Sequence, residues 1–145
     1  MIFLQDFFKS LNEVFSWFLG NPDEAMCTLI IFMAADLLTG IMSSIADHQF
    51  SGNMLLKGIA KKICILILIG IAHTMDLNFL SETELLRNPV LFFFISSEGI
   101  SVCKNASKLG VTIPDGLKKE LIRMIQENQN DIPGRVPGRG PGQQV

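Results

Sequence analysis

The sequence predicts an all-α membrane protein. It has three transmembrane helices, with the N-terminus outside and the C-terminus inside. An amphipathic helix precedes them and a short cytoplasmic amphipathic helix follows. Three observations predict this. Apolar segments at 25–46, about 59–79 and about 89–107 approach the roughly 20 residues needed to cross a hydrocarbon core about 30 Å thick. The links around them alternate in charge. Acidic groups, Asp36 and Glu98, stand inside two of the segments, where a carboxylate costs about 2.5 kcal/mol or more unless other helices or water receive it. Overall composition decides less. The chain is 48% hydrophobic, close to the ~45–50% of soluble domains, so the clustering carries the reading. A soluble bundle of deeply buried helices is the alternative. Ile63–Ile71 argues against it, being apolar all round with no face for water.

Residues 1–20 come first. Phe3, Leu4, Phe7, Phe8, Leu11, Val14, Phe15 and Phe18 recur at helical spacing, with Asp6, Lys9, Asn12, Glu13 and Ser16 opposite. Trp17 and the phenylalanines suit a headgroup boundary. The helix either lies on or in the membrane surface or packs on a neighbouring helix. No basic leader or small-residue cleavage site is recognised, so the first span is expected to direct insertion. Gly20-Asn21-Pro22 ends this helix, and Asn21 or Asp23 can cap the next.

The first span, 25–46, carries a polar stripe. Asp36, Thr39, Gly40, Ser43 and Asp47 fall at i, i+3, i+4, i+7 and i+11, on one face. Small residues there allow close helix approach, and hydroxyls can bond across helices. A link with turn formers and Lys57, Lys61 and Lys62 leads to the second span. That span ends with His73 and Asp76 and has no polar stripe through its centre. Pro89 opens the third span, whose polar face is Ser97, Glu98, Ser101, Lys104, Asn105 and Lys108. The ammonium of Lys104 can reach the inner surface along its stem. Residues 111–128 read as the cytoplasmic amphipathic helix, with Leu117, Leu121, Ile122 and Ile125 flanked by Lys118, Lys119 and Arg123. It can rest on anionic lipid or pack with its copies. Residues 129–145, with repeated Pro-Gly-Arg and nothing to bury, read as a disordered tail.

Charge orients the spans. The segment before the first has Lys9 against Asp6, Glu13, Asp23 and Glu24. The next link has Lys57, Lys61 and Lys62 against Asp47, and the one after has Arg87 against Asp76, Glu82 and Glu84. Basic residues stay on the cytoplasmic side. Lys57, Lys61, Lys62, Lys104 and Lys108 are therefore read as membrane-surface basic residues.

The chemistry of catalysis is not signalled. There is no phosphate-binding glycine loop, no paired-histidine motif and no nucleophile with a base. Cys27, Cys64 and Cys103 lie in apolar segments without metal-ligand spacing and read as small apolar residues. No catalytic residue, metal or cofactor is expected. Net charge is −2, and with the basic residues where topology wants them, nucleic acid is not an expected partner.

Asp36-Leu37-Leu38-Thr39-Gly40, the Lys57-Gly58…Lys61-Lys62 link and Glu98-Gly99-Ile100-Ser101-Val102…Asn105-Ala106…Leu109-Gly110-Val111…Ile113-Pro114…Leu117 together resemble the toxin-secretion/phage-lysis holin family. The resemblance covers about residues 25–122. It implies a protein of the bacterial inner membrane that oligomerises with itself at a set time. The assembly then opens holes through which an endolysin or toxin passes. On that reading Asp36, Thr39, Gly40, Ser43, Ser97, Glu98, Ser101 and Asn105 line the hole or make helix contacts. A carboxylate moved through the membrane field couples to it at about 2.3 kcal/mol per charge per 100 mV. A holin antagonist, a scaffold or a small channel subunit are the alternatives.

Overall fold

The computed structural model describes residues 1–80 and 84–130, apart from the side chains of Ile2 and residues 128–130. The expected disordered tail lies almost wholly outside the described residues. The described chain is all-helical: α1 (Ile2–Leu19), α2 (Glu24–Ala46), α3 (Gly52–Phe79), α4 (Arg87–Lys108) and α5 (Asp115–Asn130).

Local chemistry accounts for the ends. Asp23 caps α2, its carboxylate accepting from the Met26 amide at 2.8 Å. Ser51 caps α3 through the Met54 amide. α3 consequently starts at Gly52 rather than near residue 59, and Lys57, Lys61 and Lys62 belong to a helix rather than a link. α4 closes with the Val111 amide on the Ala106 carbonyl and the Gly110 amide on that of Ser107. Gly110 has φ +84°, the left-handed conformation this closure requires.

α2, α3 and α4 run antiparallel in turn around one apolar core. Met26, Leu29 and Met33 of α2 meet Ile65 and Ile69 of α3 and Leu91 and Ile95 of α4. Each set has three- or four-residue spacing, so each is one face of its helix. The outward faces are also apolar. Ile30, Ile31, Leu38, Met42 and Ile45 of α2 and Ile63, Ile67, Leu68, Ile71 and Met75 of α3 are exposed. Ser43, Ser44, Asp76, Arg87, Ser96 and Glu98 are buried. Buried polar groups beside an apolar core, with many large apolar groups outside, depart from the usual soluble arrangement. Among the described residues, α2 is the one helix long and apolar enough by itself to cross a membrane.

α5 folds back along α4. Its buried Leu121 sits over Gly99, where an added Cβ would lie 3.0 Å from the leucine and 3.2 Å from Phe32. α1 attaches to α3 by its last turn. The Phe18 ring occupies the space a side chain at Gly70 would need. Gly70→Leu is therefore expected to release α1 while leaving the α2–α4 core in place. Hydrogen exchange should rise in the last turn of α1 and hold in α2 and α4; unchanged protection of α1 would refute this seating.

Candidate functional site

The residues of greatest chemical interest meet at one level of the bundle. Asp36 comes from the middle of α2, Lys62 from the second quarter of α3 and Glu98 from the middle of α4. The Lys62 ammonium donates to Asp36 Oδ2 at 2.7 Å and to Glu98 Oε2 at 2.5 Å. Lys61 Nζ lies 3.0 Å from Glu98 Oε1, an ion pair without hydrogen-bond geometry. Side-chain exposure is 0% for Glu98, 12% for Lys62, 16% for Asp36 and 50% for Lys61. Buried carboxylates are thus matched by ammoniums, as a water-poor site demands. Two carboxylates against two ammoniums leave no formal net charge in this layer. Asp36 and Glu98 are thus paired with ammoniums rather than alone.

α2 and α4 are joined beside this layer by Asn105. Its Nδ2 donates to Asp36 Oδ1 at 3.2 Å, with Thr39 Oγ1 at 3.3 Å. Gly40 faces this bridge: a Cβ there would lie 3.5 Å from that nitrogen, an ordinary van der Waals contact. Thr39 donates in turn to the Ala35 carbonyl at 2.8 Å. Asn105→Ala removes this bridge and leaves Asp36 Oδ1 short of a donor. It should cost about 1–3 kcal/mol, read as a lower melting temperature in detergent. No change in melting would exclude a bridging role.

The other expected residues fall outside this network. Ser43 is buried but donates to the Gly40 carbonyl of its own helix. Ser101 donates to the Ser97 carbonyl along α4, and Ser97 is half-buried. Lys57, Lys104 and Lys108 are exposed. A cleft of about 160 Å³ between α2 and the start of α3 reaches the layer, lined by Asp36, Gly40, Ser44, Phe50, Met54 and Asn105.

Lys62, expected at the membrane surface, is instead the hub of the layer, its side chain 12% exposed. Its signal is weak, a lysine directly before the apolar run from Ile63. A second polar cluster, which helical spacing does not signal, lies at the opposite end. Arg87, 1% exposed, donates to Asp23 Oδ2 at 2.6 Å and to the Leu19 carbonyl at 3.0 Å, and reaches that of Asn21 at 3.4 Å. Buried Asp76 of α3 accepts from the amides of Leu86 and Arg87 at 2.8–3.1 Å. It caps α4, whose own N-cap, Leu86, makes no side-chain bond. Gly20, at φ +82°, lets the chain turn against Arg87 and His73. Along each helix, 11 to 14 residues separate the two clusters (Asp23 to Asp36, Lys62 to Asp76, Arg87 to Glu98). At 1.5 Å per residue that is about 17–21 Å.

Burial opposes ionisation of Asp23, but the Arg87 hydrogen bond, the Met26 amide and the Arg87 charge outweigh it. They hold the carboxyl below its ordinary value of 3.8. A depressed folded value means stability that is complete above the unfolded value and lost as pH falls through the folded one. The stability gap between the natural chain and Asp23→Asn should hold above pH 3.8 and close below it. Melting against pH measures this, and a gap independent of acid would refute it.

Among the described residues, no group of three or more His, Cys, Asp or Glu could hold a metal ion. The arrangement can carry paired charge and hold helices together.

A bacteriophage holin family model matches residues 13–126. The chain is 36% identical over 115 residues to an uncharacterized 14.9 kDa protein of Clostridium perfringens, covering 79% of this chain and 87% of that one. It is 38% identical over 111 residues to an uncharacterized protein of Listeria innocua, covering 77% and 79%. A probable holin of Bacillus phage phi105 is 21% identical over 124 residues, covering 86% and 89%. No solved structure matches.

Proposed function

The chain belongs to the bacteriophage holin family, and we propose that it oligomerises in the bacterial inner membrane and opens holes for an endolysin or an exported toxin. In this reading α2, α3 and α4 each cross the membrane, with the Asp23–Asp76–Arg87 cluster outside and the Lys62 layer toward the cytoplasm. The observation that carries it is the Lys62 layer, in which buried Glu98 and the largely buried Asp36 and Lys62 are balanced by the half-exposed Lys61, in a bundle with an apolar outside. Such a chain is tolerated by lipid while it is dispersed. Its charges need partners but not those of the same copy: Lys62 of one copy can pair with Asp36 or Glu98 of another. Exchange of partners turns a polar interior into polar interfaces, which can then face water.

The test is release of a cytoplasmic reporter enzyme from cells expressing the chain with a folded endolysin. Abrupt release and lysis after a delay are expected. Depolarisation without protein release would favour a narrow channel. A membrane-located chain that causes neither, and delays lysis by another holin, would be an antagonist.

A further inference from the structure

We propose that α1 lies in the outer boundary of the bilayer, parallel to the surface, with its apolar arc among the acyl chains. This rests on the membrane reading above. Every described residue from Phe3 to Phe15 is exposed, so α1 leaves the bundle and touches it only near its C-terminal end. At about 100° per residue, Phe3, Leu4, Phe7, Phe8, Leu11, Val14 and Phe15 fill an arc of about 140°. Phe18, the residue seated against Gly70, lies within that same arc. The face that touches α3 is thus the face left bare along the rest of the helix, and Ile71 and Met75 near the seat are bare as well.

Depth follows from the seat. Gly70 is six residues below Asp76 on α3, about 9 Å at 1.5 Å per residue. Asp76 and Arg87 mark the outer polar level. The last turn of α1 is therefore held just under that level, where amphipathic surface helices sit, about 5–10 Å into the headgroup and acyl boundary. Asp6, Lys9 and Glu13 on the opposite face oppose a crossing orientation. With one lysine against two acids, α1 is held by apolar burial rather than by attraction to anionic headgroups. Zwitterionic lipid should serve as well as acidic lipid. Trp17 falls about 40° beyond the arc and is exposed, on the flank that a helix lying in the surface turns toward the headgroups.

Trp17 is the single tryptophan of the chain and so reports on α1 alone. The full chain in phosphatidylcholine vesicles should show blue-shifted emission. Quenching should be several-fold stronger by lipids brominated near the carbonyl than by lipids brominated near the chain end, and weak by aqueous iodide. Strong iodide quenching with emission as in water overturns the proposal; so does strongest quenching from the chain end, which would mean a crossing helix. Trp17→Phe carrying Ile67→Trp separates this from the membrane reading, because Ile67 is an outward residue of α3 between the two polar clusters. Deep quenching at 67 with a wet Trp17 refutes the surface helix alone. Iodide access at both positions refutes the membrane reading as well.

Discussion

Lys62→Met is expected to destabilise the folded chain by about 3–5 kcal/mol, the cost of stripping one partner from a buried ion pair. Its ammonium is shared by Asp36 and Glu98. Methionine fills much the same volume, so the loss is electrostatic rather than a cavity. Glu98 keeps Lys61 at 3.0 Å, but Asp36 keeps only the amide of Asn105. A carboxylate so placed must protonate, hydrate or move, and each outcome loosens α2 from α3. Adding Asp36→Asn and Glu98→Gln should recover most of the loss, because neutral groups have no charge to leave uncompensated. The comparison is made by thermal melting of the single and triple variants in one detergent. In cells, Lys62→Met should bring release forward, since the closed bundle holds less firmly. If the single variant melts like the natural chain, the layer does not hold the bundle.

Arg87→Met should cost about 2–4 kcal/mol, acting at the other end. The guanidinium gathers the turn between α1 and α2 by bonding Asp23 and the carbonyls of Leu19 and Asn21. Without it, carbonyls close to the bundle lose their donor, at about 1–3 kcal/mol for each that stays dry. Asp23 is 40% exposed and can hydrate, so its share is small. The signature is local as well as global. Hydrogen exchange should rise around residues 19–24, while the start of α4 stays protected by Asp76. Loss of protection at α4 as well would mean that Arg87, rather than the Asp76 cap, holds that helix end.

How far the site was readable differs by residue. Asp36, Thr39 and Gly40 share a face by their spacing, and Glu98 and Asn105 stand on the polar side of their own segment. Spacing of this kind reports rotation about one helix axis; in the structure Asp36, Thr39, Glu98 and Asn105 of these faces turn toward neighbouring helices, while Ser43 and Ser101 bond along their own. Lys62 shows what it misses. On α3 it is a lysine at the end of an apolar run, and that pattern suits a surface group equally well. Asp76 is similar: nothing near it in the chain reveals that its carboxylate caps a helix starting at Arg87.

The sequence by itself determined the helical class, the apolar character of the three central segments and the acidic residues within two of them. Those properties reside in residue type and period, and they survive whatever the helices pack against. Tertiary structure alone decided which charges meet. Pairing across helices depends on relative height and rotation, and these are set by Met26, Leu29 and Met33 locking against Ile65, Ile69, Leu91 and Ile95. A slip of one turn, about 5.4 Å, would carry Lys62 away from Asp36 and Glu98. The return of α5 onto Gly99 and the seat of Phe18 at Gly70 are decisions of the same kind, made where a missing side chain leaves room for a neighbour.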